Sequence, residues 1–404
     1  MGEDTGDVAP QPLAGVRIVD FGGELSAYGT KLLAAFGADL VKVELPSGDP
    51  MRRKGPIKNG ATGPEASLSF AYYHTDKRGI TLDFRRDEAV PVLERLARDA
   101  DVVVISPSLR VPLAGFDDEA LTLSWAPRDT IVASITPFGL TGPYRHRRAT
   151  HLVSFAMSGS MNKVGPHEGP PVVIPARQHW DDAGSHFAIC VLAALFNRPA
   201  VGAQLVDLSA HEVMALRDDM YDRFDQNGAA VNERGRAIGF PPTGIWPCAD
   251  GPLDVAAHQR HHWTAFLKML DNPDELSEES LEDPVLRMEI HDGLAEIISN
   301  LTAPLSRQEL VPKGQAAGLP CCMLYTPLEF SQDEQTIARE LFVESEREGV
   351  GRIAMVDHPV KYSAPLVRRR RNAPRLGEHN HEVYVGELGF TDDDLASWKG
   401  VGLA

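Results

Sequence analysis

The stretch from Gly15 to Glu44 contains two short apolar runs with one segment of helical spacing between them. This strand–helix–strand pattern constrains the fold more than any other feature of the sequence. Val16–Phe21 is an apolar run with the length of a buried strand, and a pair of glycines follows it as a turn. Ser26–Phe36 carries apolar residues at helical spacing, and Leu40–Glu44 then resumes a strand. This order predicts a βαβ unit with two parallel strands.

Further apolar runs continue the alternation through the first half of the chain. Strands that alternate with helices imply a mostly parallel sheet with helices on both faces, which is the α/β class. The additional predicted strands are Gly79–Phe84, Asp101–Ile105, Thr130–Thr136 and Ala203–Ser209, and the predicted helices are Asp87–Asp99 and Ser185–Phe196.

A chain of 404 residues exceeds what one hydrophobic core usually supports, so more than one domain is expected. The composition changes in the second half, where a Pro- and Gly-rich stretch precedes several helical segments. We predict a large domain over residues 1–224, a small mixed domain over 225–330, and a C-terminal segment over 331–404 that returns to the large domain. The later helical segments are His262–Leu270, Glu289–Asn300, Ser306–Gly318 and an acidic tail at Glu378–Leu403.

Composition excludes several classes of function. The formal net charge of −17 argues against a nucleic-acid partner, because binding phosphates requires clustered Lys and Arg. No apolar run is long enough to predict a membrane span. The first 12 residues lack the basic and apolar regions of a signal peptide and predict a frayed tail. The four cysteines lack zinc-site spacing, and the adjacent pair is poorly placed for a disulfide. We therefore expect no metal and a cytoplasmic location.

Blocks spread over the whole chain resemble the class III CoA-transferase family. They include Asp76-Lys-Arg-Gly-Ile-Thr-Leu-Asp83 and Ser134-Ile-Thr-Pro-Phe-Gly-Leu-Thr-Gly-Pro-Tyr144, with further blocks at 12–21, 31–44, 48–52, 156–171, 247–251 and 373–379. This family includes formyl-CoA and carnitine CoA-transferases and the α-methylacyl-CoA racemases. The resemblance implies a large Rossmann-like domain that binds CoA, a smaller domain, and two subunits interlocked like the links of a chain.

The resemblance also implies a reaction with an Asp nucleophile. In the family, this carboxylate attacks an acyl-CoA thioester and forms a mixed anhydride, which CoA thiolate then opens. Here Trp180 stands at the Asp position, followed by Asp181 and Asp182. A local shift would allow Asp181 to act as the nucleophile. Alternatively, both carboxylates stand there because acidic residues are favoured at a helix N-terminus.

Two histidines are candidate bases for the racemase branch of the family. That branch pairs an Asp with a His on opposite faces of the α-carbon. Its His aligns with Thr150, so His151 is offset by one residue, and His179 is a second nearby imidazole. Each histidine could instead be a structural or polar pocket residue.

Contacts to CoA are implied at several matching positions. Lys77 and Arg78 could meet phosphates, or they could be solvated structural side chains. The family's Arg-Pro-Gly segment is absent here, and Arg110 could replace its arginine from a shifted position. Arg148 belongs to a basic loop that could equally be a solvated turn. The predicted CoA-binding residues are Glu24, Thr75, Lys77, Arg78, Arg110, Phe138, Gly139 and Arg148.

Three functions remain open from the sequence. The first is a CoA-transferase that moves CoA between acyl groups and carboxylic acids, as a homodimer or as a heterodimer with a paralogous subunit. The second is a catalytically silent CoA-binding partner, since Glu24 and the aromatic Trp180 match a subgroup that resembles noncatalytic subunits acting on dicarboxylic acids. The third is an acyl-CoA racemase or isomerase. No side chain identifies the acyl group.

Overall fold

The structure is a computed structural model that describes residues 11–404 apart from 59, 106–128, 167, 218–240, 349, 365 and 368–370. Its strands are β1 (Arg17–Asp20), β2 (Asp39–Glu44), β3 (Arg78–Thr81), β4 (Val102–Ile105), β5 (Ile131–Thr136), β6 (Leu205–Ser209), β7 (Gly244–Trp246), β8 (Leu253–Val255), β9 (Cys321–Met323), β10 (Phe342–Arg347) and β11 (Gly351–Val356).

The helices within the described ranges are α1 (Ala27–Ala35), α2 (Leu68–Tyr73), α3 (Val90–Arg98), α4 (His151–Met157), α5 (Gln178–Val201), α6 (Ala210–Arg217), α7 (Arg260–Met269), α8 (Pro284–Glu289), α9 (His291–Thr302), α10 (Arg307–Ala316), α11 (Pro327–Gln332), α12 (Glu334–Ala338) and α13 (Asp392–Gly400). The predicted acidic tail is therefore helical only in parts, with a π-helical turn at Glu382–Glu387 before α13.

Strands β1 to β6 form one parallel sheet in the order β3-β2-β1-β4-β5-β6. In its register, Val19 of β1 pairs with Val41 of β2 and with Val103 of β4. Helix α1 connects β1 to β2, as the apolar pattern of the sequence predicts. The predicted α/β class with a Rossmann-like parallel sheet is confirmed.

The sheet has an apolar core on each face, because successive residues of a strand point to opposite sides. Val19 and Val103 lie in one core, which also contains Tyr384 from the C-terminal segment. Ile18 lies in the other core, with Leu33 of α1 and residues of α5. Covering both faces explains why the strands read as almost continuous apolar runs.

The described residues fall into two compact units. One comprises those within 1–165, 170–231 and 340–404, and the other comprises those within 166–169 and 232–339. The first unit contains the parallel sheet and the β10–β11 hairpin. The second unit contains the antiparallel sheet β7-β8-β9 and a core of its own around Trp263 and Phe266.

Helix α5 starts earlier than the predicted Ser185–Phe196 segment, so Asp181 lies in its first turn. Among the described residues it is the one helix whose length and composition would allow it to cross a membrane. Phe187 and Val191 are nevertheless fully buried in the core shared with α1 and the sheet. The apolar window of this helix is 28% buried, so one face of α5 packs in the core and the rest is exposed.

Glycines allow α1 and α5 to approach each other closely. A Cβ atom on Gly29 would lie 2.5 Å from the carbonyl oxygen of Gly184, and a Cβ atom on Gly184 would lie 2.9 Å from the amide nitrogen of Gly29. Only residues without a Cβ fit at these two positions. The contact fixes the turn before α1 relative to the first turn of α5.

We expect Gly29→Ala to lower the free energy of unfolding by about 1–3 kcal/mol, the usual effect of overpacking. Gly293→Ala in α9 is the matched control, because a Cβ atom there would meet nothing within 4 Å. The control should raise the free energy of unfolding by up to about 1 kcal/mol, since Ala is the better helix former. Urea denaturation measures both, and equal effects would contradict the close approach of the helices.

Candidate functional site

Four polar side chains converge beside the carboxyl end of β1. Glu24 lies in the turn between β1 and α1, and Tyr73 is the last residue of α2. Arg177 immediately precedes α5, and Asp181 lies in its first turn. In open parallel sheets, ligands bind outside the carboxyl ends of the strands, so this is where a site is expected.

Arg177 is the centre of this cluster. Its Nη1 lies 3.1 Å from Glu24 Oε1, and its Nη2 donates to Asp181 Oδ1 at 3.3 Å. The guanidinium also lies over the ring of Tyr73, 4.0 Å from the centroid. Lys54 forms a second ion pair with Glu24. Arg177 thus joins three segments that are far apart in the sequence.

The backbone before Arg177 is strained. Ala176 has a φ of 61°, a left-handed conformation that an alanine rarely adopts. Such strain persists only where the surroundings impose it, and it is common at functional sites. The strained residue aims the side chain of Arg177 at Glu24 and Asp181.

Asp181 is held at both of its carboxylate oxygens. Tyr73 donates its hydroxyl to Asp181 Oδ2 at 2.8 Å, and Arg177 donates to Oδ1. Burial raises the pKa of Asp181 above its usual value, although Arg177 opposes this shift. Burial is also the main cause that raises the pKa of Tyr73 to about 12. Tyr73 is therefore a protonated donor at neutral pH.

The candidate bases His151 and His179 lie in an aromatic cluster. Their ring centroids are 5.6 Å apart, and His179 stacks on Phe155 at the same distance. Burial, and then the neighbouring His151, lowers the pKa of His179 to about 4. Nδ1 of His151 and Nε2 of His179 are buried without a hydrogen-bond partner in the part of the chain that the structure describes. At neutral pH, His179 is an uncharged and weak base.

Trp180 is a core residue. It is 7% exposed and packs in the apolar core between the sheet and α5. Its indole Nε1 donates to Ser154 Oγ at 3.5 Å. Trp180 is thus a buried ring that carries no carboxylate.

Lys77 and Arg78 are neither solvated nor placed at a surface that phosphate can reach. Lys77 is fully buried and donates to Thr30 Oγ1 at 2.6 Å, and burial lowers its pKa to about 8. Arg78 pairs with Asp39 at 2.6 Å and with Glu382 at 2.9 Å. These contacts correct the expectation of solvated side chains. They do not support phosphate contacts either, because both cationic side chains already contact protein groups.

The other predicted CoA-binding residues are scattered within the first unit. Thr75 is buried and lines a cleft with Lys31 and Tyr72. Phe138 packs edge-on against Tyr144, with ring centroids 5.7 Å apart. The remaining predictions are Gly139, which has a φ of 81°, Arg148, which is exposed, and Arg110, which lies outside the described residues.

Lys54, Tyr73 and Arg177 were not predicted as site residues. Lys54 and Tyr73 lie outside the segments that carry the family resemblance, whereas Arg177 lies three residues before Trp180 and stands out through its contacts. Among the described residues, no group of three or more His, Cys, Asp or Glu side chains could hold a metal ion. The cluster contains two cations, Lys54 and Arg177, each paired with a carboxylate of the protein.

Comparison with known proteins gives one consistent result. A family model described as CoA-transferase family III matches residues 13–380. The chain is 32% identical over 416 residues to a formyl-CoA:oxalate CoA-transferase of Streptomyces avermitilis, covering 97% of this chain and 99% of that protein. It is 30% identical over 404 residues to the succinyl-CoA:(R)-benzylsuccinate CoA-transferase subunit BbsE of Thauera aromatica, covering 95% and 97%.

Among solved structures, the chain is similar to a CaiB/BaiF family protein from Brucella suis. The TM-score is 0.83 at 25% sequence identity, and the match covers 94% of this chain and 100% of that one.

The low pKa of His179 predicts a loss of stability in acid. Its pKa is about 4 in the folded chain and near 6.5 when unfolded, so the unfolded state takes up the proton first as the pH falls between these values. His179→Phe removes this loss. From pH 7 to about pH 4, the free energy of unfolding should shift in favour of the variant by about 2–3 kcal/mol.

Urea denaturation across this pH range measures the shift. His258→Phe is the control, because His258 is exposed. It should follow the wild-type pH profile. Parallel profiles for His179→Phe and the wild type would contradict the assignment.

Proposed function

This chain belongs to CoA-transferase family III, and we propose that it is the CoA-binding subunit of a heteromeric CoA-transferase. Its function is to move CoA between acyl groups and carboxylic acids, and its substrates are CoA thioesters. The proposal adds that a paralogous subunit supplies the nucleophilic Asp. The observation that carries it is the burial of Trp180, at the position where the family resemblance places the nucleophile. An indole can donate a hydrogen bond but cannot form an acyl anhydride.

The hydrogen bonds of Asp181 also support the proposal that the paralogous subunit supplies the nucleophile. Both of its oxygens accept hydrogen bonds, from Tyr73 and from Arg177. Each carboxylate oxygen keeps a second lone pair, but hydrogen bonds from a phenol and a guanidinium withdraw electron density and make the carboxylate of Asp181 a weaker nucleophile. We propose that Asp181 positions Arg177 and Tyr73 rather than attacking the thioester.

In the proposed complex, the Asp of the paralogous subunit attacks the thioester carbonyl carbon. The carbon–oxygen bond forms, the carbon–sulfur bond breaks, and CoA leaves as the thiolate. The thiolate then attacks the aspartyl carbonyl of the mixed anhydride and releases the first acid. The second acid takes up CoA by the reverse sequence, so no oxidant or reductant is required.

We further propose that the acids are dicarboxylic. The relative from Thauera aromatica is named for succinyl-CoA and (R)-benzylsuccinate, and the relative from Streptomyces avermitilis is named for oxalate. Each of these acids carries two carboxyl groups.

Racemisation is less well supported than transfer. Racemisation requires two bases on opposite faces of the α-carbon, an Asp and a His in the family's racemase branch, whereas Asp181 is already hydrogen-bonded to Tyr73 and Arg177. A pKa of about 4 also makes His179 a poor proton acceptor.

We propose that this chain pairs with a second subunit through an exposed apolar surface, formed by Ile189 and Phe196 of α5 and Leu216 of α6. Their exposed fractions are 62%, 89% and 78%. Apolar groups that cluster at the surface are typical of protein interfaces. An interlocked dimer, with itself or with a paralogue, would cover them. We also propose a cytoplasmic location, since all four cysteines are free.

The purified chain should bind CoA, transfer no CoA by itself, and give no acyl-enzyme that hydroxylamine traps. Transfer should appear after mixing with a paralogue that carries the Asp. In the mixture, Asp181→Asn should lower kcat by no more than roughly tenfold, since it weakens only positioning hydrogen bonds.

Asp182→Asn, one residue further along α5, is the matched control and should keep full activity. A loss of several orders of magnitude in Asp181→Asn alone, with CoA affinity unchanged, would identify Asp181 as the nucleophile. Transfer by the purified chain without a paralogue would likewise contradict the proposal.

Phe196→Asp places a charge on the apolar surface, and we expect it to weaken association at least roughly tenfold, because burying an unpaired charge is unfavourable. Light scattering over a concentration series measures the effect. Val401→Asp, at a residue that is 58% exposed in the C-terminal segment, should leave association unchanged. Equal behaviour of both variants would rule out the α5 surface.

A further inference from the structure

We propose that Arg177 receives the free carboxylate of a dicarboxylic acyl group, in the place that Glu24 occupies in the structure. This inference rests on the proposed function. A CoA thioester of a dicarboxylic acid keeps one ionised carboxylate that does not react. The protein has to neutralise that charge, and the planar fork of a guanidinium matches a carboxylate in geometry.

The contacts of Arg177 are long compared with those of a structural arginine. Arg177 lies 3.1 Å from Glu24 Oε1 and 3.3 Å from Asp181 Oδ1. In contrast, Arg52 donates to both oxygens of Glu44 at 2.7 Å. Charge-assisted hydrogen bonds are usually about 2.7–2.9 Å long. The Arg177–Glu24 contact is therefore one that a better placed carboxylate can replace.

Arg177 is also more accessible than that structural pair. The side chains of Arg177 and Glu24 are 14% and 21% exposed, whereas those of Arg52 and Glu44 are 1% and 0% exposed. Nε of Arg177 is buried. An incoming carboxylate would therefore meet Nη1 and Nη2, the two nitrogens that now contact Glu24 and Asp181.

Glu24 can be displaced without being left unpaired. Its second partner is Lys54, whose side chain is 52% exposed and can move with it. Asp181 likewise keeps the hydroxyl of Tyr73 when a ligand reaches Arg177. Breaking a buried pair is strongly unfavourable when one charge is left alone. The exchange proposed here avoids that cost, because each internal carboxylate retains a donor.

The groups around Arg177 keep its guanidinium oriented to bind an anion. The ring of Tyr73 supports one face of the guanidinium. Arg177 also immediately precedes the first turn of α5, where the helix dipole favours negative charge. Glu24 is then an internal stand-in that keeps the guanidinium oriented until the substrate arrives.

Succinate and butyrate test this assignment, because they have the same chain length and differ in the second carboxylate. Isothermal titration of the purified protein with each acid gives their Kd values. The wild type should prefer succinate by roughly 10- to 100-fold, the value of one charge-assisted contact. Arg177→Gln should abolish the preference, and Arg177→Lys should abolish most of it because an ammonium lacks the planar fork. Glu24→Gln should increase it, because the competing charge is gone.

Arg198→Gln is the matched control. Arg198 lies near the other end of α5 and pairs with Asp101 at 2.6 Å, so its loss should not change the preference. The inference is wrong if Arg177→Gln weakens both acids equally, or if Glu24→Gln weakens succinate binding as Arg177→Gln does.

CoA affinity, measured on the same samples, separates the two proposals. If the wild-type protein binds CoA but does not prefer succinate, the role proposed for Arg177 is wrong and the proposed function is unaffected. Protein that binds no CoA contradicts the proposed function, whatever the two acids show.

Discussion

The contact between Gly29 and Gly184 is the constraint on which the site depends. It places α1 directly against α5, so the turn that carries Glu24 lies beside the helix start that carries Arg177 and Asp181. A larger residue at either glycine would separate the two helices. The parallel sheet beneath them supplies the fixed frame, because β1 leads into α1 and packs through Ile18 in the core that α5 shares.

Buried charges in this protein have two different uses. Arg52, Lys77 and Arg78 are held by close contacts to protein groups, and these contacts tie the strand ends and the C-terminal segment together. Arg177 has longer contacts and a more exposed side chain, although it too pairs with carboxylates. The difference separates an arginine that stabilises the fold from one that can exchange its partner. Contact length and exposure indicate this difference, whereas residue type does not.

Much of the first unit could be predicted from local pattern. Strands β1 to β6 and helix α1 were each predicted from the apolar residues of their own segment, because strands covered on both faces are rich in Val, Ile and Leu. The start of α5 was predicted too late. Its first turn holds His179, Trp180 and Asp181, which show no apolar helical repeat, and Trp180 is buried there through packing against Ser154 and the core. Tertiary contacts, rather than periodicity, set that boundary.

The sequence by itself determined the parallel α/β sheet and the absence of a carboxylate at Trp180, since periodicity and residue identity are local properties. Only the tertiary structure decided that Lys77 is buried and that Arg177 contacts both Tyr73 and Glu24. These three residues come from separate segments, and their contact depends on strand order and on the packing of α1 against α5. No spacing along the chain encodes such a meeting, because it follows from how distant segments are brought together when the core is buried.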